Sequence, residues 1–314
     1  MGKYVFGVDV GGTTVKLGLF DAEGTIKDKW EIPTRTVDNG ANIIPDIAES
    51  ILAKMQADGI NKEDVVGIGM GVPGPVKADG TVIKAVNLGW DVFNPNTEIS
   101  RLVGVPAKTG NDANVAALGE MWKGGGQGYL DMVAVTLGTG VGGGIILGGH
   151  IVAGSNGAGG EIGHIHLEDN EEEACGCKGH GCLEQYASAT GIVRLAKRAL
   201  AASDKASVLR DGEVSAKSVW DAVKDGDELA VGVAHQYGEY LGKGLAAVAA
   251  VVNPEIFVIG GGVSKAGNVV IDYMKPYFEK YAFHGSTNAE FALATLGNDA
   301  GIYGAAKLVL DEYI

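Results

Sequence analysis

Three cysteines occur in this chain, and all fall in one short segment, Cys175-x-Cys177-x4-Cys182. An odd, clustered set makes a poor disulfide framework. Its thiolates are soft ligands suited to Zn²⁺ in tetrahedral geometry. One histidine would close the set at four ligands, as in a structural metal site. His164, His166 and His180 are all candidates, and the residues alone do not choose among them. The competing reading is three incidental thiols.

Carboxylates flank this segment. Glu161 precedes it and Glu184 follows it, with His164 between them. Carboxylates accept hydrogen bonds from vicinal hydroxyls and histidine can donate one, so these three could grip a polyol; solvated or helix-start acids are the alternative. Farther upstream, Asn111-Asp112 stands at a strand end, directly before a helical pattern. One reading is a helix N-cap. The other is a general base, since a positioned carboxylate can take the proton of a hydroxyl nucleophile and accelerate its attack about 10²–10⁴-fold.

Two glycine turns supply a third kind of chemistry. Asp9-Val-Gly11-Gly12-Thr13-Thr14 and Gly138-Thr139-Gly140-Val-Gly-Gly-Gly144 each sit between β-patterned stretches. Glycine permits close backbone approach, so successive N–H groups can face one anion, and Thr13, Thr14 and Thr139 add hydroxyl donors. Asp9 at the strand end could hold Mg²⁺ through water. Two G-x-G-x-x-G matches, at Gly69 and Gly138, lack the following helix of a dinucleotide fingerprint, and no P-loop motif is present. Gly260–Ser264 is a further glycine turn, with Ser264 expected to cap the next helix.

The elements that must carry these residues read as α/β. Strands are expected at Tyr4–Val10, Val15–Phe20, Thr25–Ile32, Val65–Val72, Met132–Leu137, Ile145–Leu147 and Glu255–Ile259. Helices are expected at Ile43–Met55, Ala113–Trp122, Ala187–Ala201, Ala216–Val223, Glu228–Val252 and Asn298–Glu312. A strand–glycine turn–strand unit opens each half, which reads as an internal duplication gripping a phosphate chain between two lobes. The boundary falls near residues 120–130. The first lobe is 1–122, with the final helix, 299–314, a candidate to pack back on it; the second lobe is 123–298. Trp90, Trp122 and Trp220 read as core or interface residues rather than ligand-stacking platforms. Lys16 fits a phosphate contact and a wet strand face equally.

Composition narrows the classes. A net charge of −14 argues against a nucleic-acid binder. With 46% hydrophobic and 20% charged residues, the chain can bury a sizeable core. The longest apolar runs are too short to span a bilayer. The first residues, Met1–Phe6, show no apolar leader block, and Phe6 breaks the pattern for acylation at Gly2. The expectation is a cytoplasmic protein with no membrane partner.

Asp9-Val-Gly-Gly-Thr13, Leu137-Gly-Thr-Gly-Val-Gly-Gly-Gly144, Gly160-Glu-Ile-Gly-His164 and Cys175-Gly-Cys-Lys-Gly-His-Gly-Cys-Leu-Glu184 stand in the order seen in ROK-family sugar kinases. The resemblance covers essentially the whole chain. Within the family the chain looks most like bacterial glucokinases, including the stretch Leu296-Gly-Asn-Asp-Ala-Gly301. The resemblance implies a two-lobed actin-like, ribonuclease-H-like ATPase fold and ATP-dependent phosphorylation of glucose at its 6-hydroxyl. It implies His164 as the fourth ligand of a structural zinc and Asp112 as general base. It places Asn87, Asn111, Asp112, Glu161, His164 and Glu184 on the sugar. Asp9, Gly11, Gly12, Thr13, Thr14, Gly138, Thr139, Gly140, Gly261 and Gly262 fall to ATP, which enters with Mg²⁺. A homodimer or homotetramer is expected by analogy.

Other readings stay open at this point. The acceptor could be N-acetylmannosamine, N-acetylglucosamine or fructose, the donor could be polyphosphate, or the protein could sense sugar without chemistry. The family also includes repressors with an N-terminal helix-turn-helix; a first strand beginning near residue 3 is not expected to leave room for one.

Overall fold

A computed structural model of the chain describes residues 3–313; the acylation reading at Gly2 and the last residue of the 299–314 segment lie outside the described residues. The strands are β1 (Tyr4–Val10), β2 (Thr14–Asp21), β3 (Ile26–Pro33), β4 (Val65–Val72), β5 (Ala107–Asn111), β6 (Met132–Leu137), β7 (Val141–Leu147), β8 (His150–Ile151), β9 (Ile256–Gly260) and β10 (Glu290–Leu293). The helices are α1 (Val37–Gly40), α2 (Ile43–Asp58), α3 (Pro95–Val103), α4 (Asp112–Lys123), α5 (Glu184–Ala187), α6 (Ala189–Ala202), α7 (Ala216–Lys224), α8 (Glu228–Val252), α9 (Val269–Tyr281) and α10 (Ala300–Tyr313). The α1 segment is a distorted single turn, with Asp38 and Asn39 both at positive φ. Among the described residues no helix is long and apolar enough to cross a membrane.

Two compact units form. One takes the chain up to Leu130, Gly144–Gly160 and the stretch from Leu296; the other takes Asp131–Gly143 and Glu161–Thr295. In the first unit the sheet order is β3-β2-β1-β4-β5. The β1–β2 and β2–β3 pairs are antiparallel, while β1–β4 and β4–β5 are parallel. The second sheet has the order β8-β7-β6-β9-β10, with parallel β6–β9 and β9–β10 pairs and an antiparallel β7–β8 pair. The two orders superimpose strand for strand, which is the duplication expected from the repeated strand–turn–strand units. Its chain path is uneven: β7 begins in the second unit and ends in the first.

Both faces of the first sheet are covered at its centre, so β1 and β4 read as continuous apolar runs, while the edge strand β3 is largely exposed. Phe6, Val8, Leu17 and Met70 pack with Ile43, Ile47, Ile51 and Ile99 of α2 and α3. Val5 and Phe20, on the opposite face, pack with Ile302, Ala306 and Val309 of α10. Gly7 shows how closely α10 lies on the strands: a Cβ there would stand 2.0 Å from the Ile302 carbonyl oxygen. Any side chain at this position would lift the helix.

In the second unit α8 buries Val233, Tyr237, Leu241 and Leu245. Tyr237 donates its hydroxyl to the Ala187 carbonyl at 2.7 Å, which satisfies the polar tip of a fully buried ring. Phe257, Phe278 and Phe291 form an aromatic cluster tying β9, α9 and β10 together, with centroids 5.0–5.7 Å apart.

Three local expectations are corrected. Residues 187–201 are not one helix: Ser188 is extended, and its Oγ accepts the Gly191 N–H at 2.9 Å, capping α6 and separating it from α5. The run Gly138–Gly144 is not all turn, because β7 already starts at Val141. Ser264 caps nothing. It lies inside the 3₁₀ turn Val263–Ala266 and donates its Oγ to the Gly261 carbonyl at 2.8 Å. Gly267, at φ 89, then breaks the turn before α9 begins.

Candidate active site and metal centre

In the first unit, β1 ends at the turn that precedes β2. The turn is closed by Gly11 N–H donating to the Thr14 carbonyl at 3.1 Å. Thr34 braces it from behind, its hydroxyl donating to the Gly11 carbonyl at 2.7 Å and its N–H to the Thr13 carbonyl at 2.9 Å. Gly12 and Thr13 stay exposed. Asn87 stands beside this turn, its Cβ 3.6 Å from where a Gly12 Cβ would be. Asp9 projects toward Gly301 at the start of α10. Burial raises its pKa to about 6; Lys16 pulls it down and the charge of Asp112 adds to the rise. Lys16 itself donates to the Asn298 carbonyl at 3.1 Å.

Asn111 and Asp112 divide their work. Asn111 is the N-cap of α4, its Oδ1 accepting the Asn114 N–H at 3.1 Å. Its Nδ2 donates to the Gly74 carbonyl at 3.1 Å and to Asp112 Oδ1 at 2.9 Å. Asp112 Oδ1 also accepts the Ala113 N–H at 2.8 Å. Capping therefore falls to Asn111, and Asp112 is a half-exposed carboxylate whose Oδ1 is held at a helix N-terminus.

The second unit collects the four soft donors. Ligand atoms of His164, Cys175, Cys177 and Cys182 all lie within 4.8 Å of one another. Cys177 Sγ and Cys182 Sγ are 3.7 Å apart, and Cys175 Sγ is 3.8 Å from His164 Nδ1. A tetrahedral centre with metal–sulfur bonds of about 2.3 Å has edges of about 3.8 Å. The two printed separations match such an edge, and the whole donor set lies close enough for a small inward shift to place it around one four-coordinate soft metal. Nδ1 is the His164 ring atom that faces Cys175, and the ring itself is exposed. Burial pushes the Cys182 thiol up to about 12 and that of Cys175 up as well, while the Gly179 N–H lowers Cys177. Metal binding must displace these protons. His166 and His180 are engaged elsewhere. His166 contacts the His180 carbonyl and Asp169 Oδ1, both at 2.8 Å, and His180 contacts the Glu171 carbonyl at 3.0 Å.

Glu184 joins the metal loop to the second glycine turn. Its Oε1 accepts from Cys175 Sγ at 3.4 Å, and its Oε2 accepts the Val141 N–H at 3.0 Å. The start of α6 holds the same turn, Ala189 N–H donating to the Gly138 carbonyl at 2.8 Å and Thr190 Oγ1 to the Thr139 carbonyl at 2.7 Å. Gly261, at φ +84, presses against this turn's approach; a Cβ there would lie 2.5 Å from the Leu137 carbonyl oxygen. Glu161 precedes the 3₁₀ turn carrying His164, its carbonyl accepting the His164 N–H at 3.1 Å, and its side chain is exposed.

The ROK family model matches residues 5–312. The chain belongs to the ROK family. It is 44% identical to a glucokinase of Halalkalibacterium halodurans, over 99% of this chain and 96% of that one. It is 36% identical to a glucokinase of Streptomyces coelicolor, over 96% of each. A crystal structure of a ROK family glucokinase from Streptomyces griseus, in complex with glucose and AMPPNP, matches with a TM-score of 0.71 at 36% identity, covering 97% of this chain and 98% of that one. The actin-like, ribonuclease-H-like fold expected of a ROK chain is thereby borne out.

Several residues that shape this ROK site were not read from sequence. Glu171, 7% exposed, accepts the Tyr186 hydroxyl at 2.5 Å and pairs with Arg194 at 2.9 Å and Arg198 at 3.1 Å. Its own burial opposes the charge, yet Arg198 and the Tyr186 hydroxyl hold the carboxyl down at about 2. This knot fastens the metal loop to α5 and α6. The only signal in the sequence is the pair Arg194 and Arg198, one helical turn apart. Thr34 and Thr190, which brace the two turns, carry no motif at all.

Proposed function

We propose that this protein is a glucokinase, transferring the γ-phosphoryl group of ATP to the 6-hydroxyl of D-glucose. The observation that carries the reading is the arrangement at Asn111 and Asp112. Asn111 supplies the cap and orients its neighbour, so Asp112 can serve as general base rather than as a structural acid. The relatives from H. halodurans and S. coelicolor, both glucokinases, support the substrate.

In this reading Asn87, Asn111, Asp112, Glu161, His164 and Glu184 bind the sugar. The turns at Asp9–Thr14 and Gly138–Gly140 hold the phosphates, Thr13, Thr14 and Thr139 add hydroxyl donors, and Gly261 and Gly262 border the nucleotide. Mg²⁺ bound with ATP would neutralise charge on the transferred group, and Asp9 would orient it through water. The remaining catalysis is alignment, supplied by turns whose carbonyls are already fixed from behind. Zinc is the metal proposed for His164, Cys175, Cys177 and Cys182, because three thiolates and an imidazole in closed tetrahedral geometry favour it. It would fix the His164 ring through Nδ1 and so present Nε2 to a sugar hydroxyl. The same reading carries a homodimer or homotetramer working in the cytoplasm.

A coupled ADP-release assay with ATP and Mg²⁺ across glucose, mannose, fructose, N-acetylmannosamine and N-acetylglucosamine tests it. Turnover dominated by glucose is expected. A preference for an N-acetylhexosamine would overturn the substrate and keep the base, and silence on every sugar would overturn the activity.

A further inference from the structure

Behind the first turn of α4 lies a cavity of about 260 Å³, formed wholly within the first unit. Its lining includes Lys77, Lys108, Asn114, His150, Asp311 and Glu312. Asn114 is 2% exposed, and its Oδ1 is a buried acceptor with no donor. Leaving such a group unmade is costly, so it calls for an O–H or N–H from something in the cavity. The charges around it are unevenly used. Lys108 pairs with Glu312 at 2.9 Å, and Asp311 pairs with Lys307. Both acids are thereby compensated, whereas Lys77 and His150 are exposed and make no ion pair among the described residues. The cavity thus offers a buried acceptor and two uncommitted cation-capable groups. Its size falls just under the usual range of small-ligand pockets, about 300–1,000 Å³, and suits a compact ligand.

We propose that this cavity is an effector site for a small polyhydroxylated anion, whose hydroxyl donates to Asn114 Oδ1 and whose phosphate or carboxylate meets Lys77 and His150. Its position gives it a route to the chemistry. The Asn114 N–H donates to Asn111 Oδ1, and Asn111 Nδ2 donates to Asp112 Oδ1. A ligand that draws on Asn114 therefore acts two hydrogen bonds from the proposed base. A hexose 6-phosphate is the nearest source of such a ligand if the glucokinase reading holds; the chemistry of the cavity does not depend on that reading.

The test is isothermal titration calorimetry with glucose 6-phosphate, D-gluconate and inorganic phosphate, on the full chain saturated with glucose. The wild-type protein is compared with Lys77→Ala and His150→Ala. Binding of glucose 6-phosphate or gluconate, weakened about tenfold or more in each variant, is expected; which of the two binds distinguishes phosphate from carboxylate. Absence of binding, an affinity in either variant that matches the wild type, or equal affinity for inorganic phosphate overturns the site and leaves a cavity that holds water. With saturating glucose, the bound ligand should lower kcat about fivefold or more in the wild type and not in the variants. Binding with unchanged turnover overturns the effector role. Binding lost in the variants of a protein inactive on glucose would sink the kinase reading and keep the site.

Discussion

Glu184 Oε2 accepts the Val141 N–H at 3.0 Å while Oε1 faces Cys175 Sγ at 3.4 Å, so one carboxylate spans the second glycine turn and the metal loop. A residue proposed to bind sugar is therefore also a brace for the turn proposed to bind phosphate. Glu184→Ala is expected to raise KM for both glucose and ATP, each about tenfold or more, because a charge-assisted hydrogen bond is lost on either side. Glu184→Gln keeps one carbonyl oxygen for Val141. It should restore the ATP value and leave the glucose value impaired. Steady-state kinetics on the two variants checks this, and an ATP KM that stays at the wild-type value in Glu184→Ala would remove the bracing role.

Asp112 and Asn111 separate catalysis from stability. Asp112→Asn should lower kcat about 10²–10⁴-fold with glucose affinity held within a few fold. Asn111→Ala should cost about 1 kcal/mol of stability, the usual value of a lost cap, and also slow turnover by releasing Asp112. Calorimetric glucose binding together with thermal melts reads both. Loss of binding in a folded Asp112→Asn protein would contradict the role of base.

How far these relationships were legible depends on their range. The strands Tyr4–Val10, Val65–Val72 and Met132–Leu137 and the helix Glu228–Val252 run between the residues expected of them. Each is an apolar block bounded by turn or capping residues, and local sequence suffices for that. The helix Pro95–Val103 and the strand Glu290–Leu293 went unread because they are short and only partly buried. The break at Ser188 was hidden because helical spacing continues across it. Residue types alone did not choose the histidine, and only the resemblance pointed to His164: His164, His166 and His180 differ in what they touch, not in type. The knot around Glu171 joins positions up to 27 apart, with no motif to announce it.

The metal and that knot should be separable. Cys177→Ser, at an exposed member of the proposed ligand set, is expected to lose bound metal and raise the glucose KM, since His164 is no longer fixed. The loop should stay folded, because Glu171, Arg194, Arg198 and Tyr186 still fasten it. Glu171→Gln should do the reverse, retaining metal while costing about 2 kcal/mol, because Arg194, Arg198 and the Tyr186 hydroxyl all lose a buried carboxylate as partner. Metal content by mass spectrometry and urea unfolding at pH 7 check the pair. A metal-free Cys177→Ser protein with an unchanged glucose KM would sink the coupling between metal and sugar.

Asp9 predicts a pH signature. Its folded pKa, about 6, stands above the 3.8 of an unperturbed aspartate. The folded chain therefore binds more protons than the unfolded chain between those values, and stability falls as pH rises through that window. Above it, the ionised carboxylate is a standing cost of about 3 kcal/mol in the ligand-free protein. Asp9→Asn removes the charge. It should raise the melting temperature at pH 8, with roughly half that gain remaining at pH 5. Mg²⁺ and ATP should reverse the order, because a cation nearby favours the ionised form that only the wild type can offer. Melts at the two pH values, with and without Mg²⁺ and ATP, decide the matter. An Asp9→Asn protein less stable than wild type at pH 8 without ligand would show that the carboxylate serves the fold rather than the nucleotide.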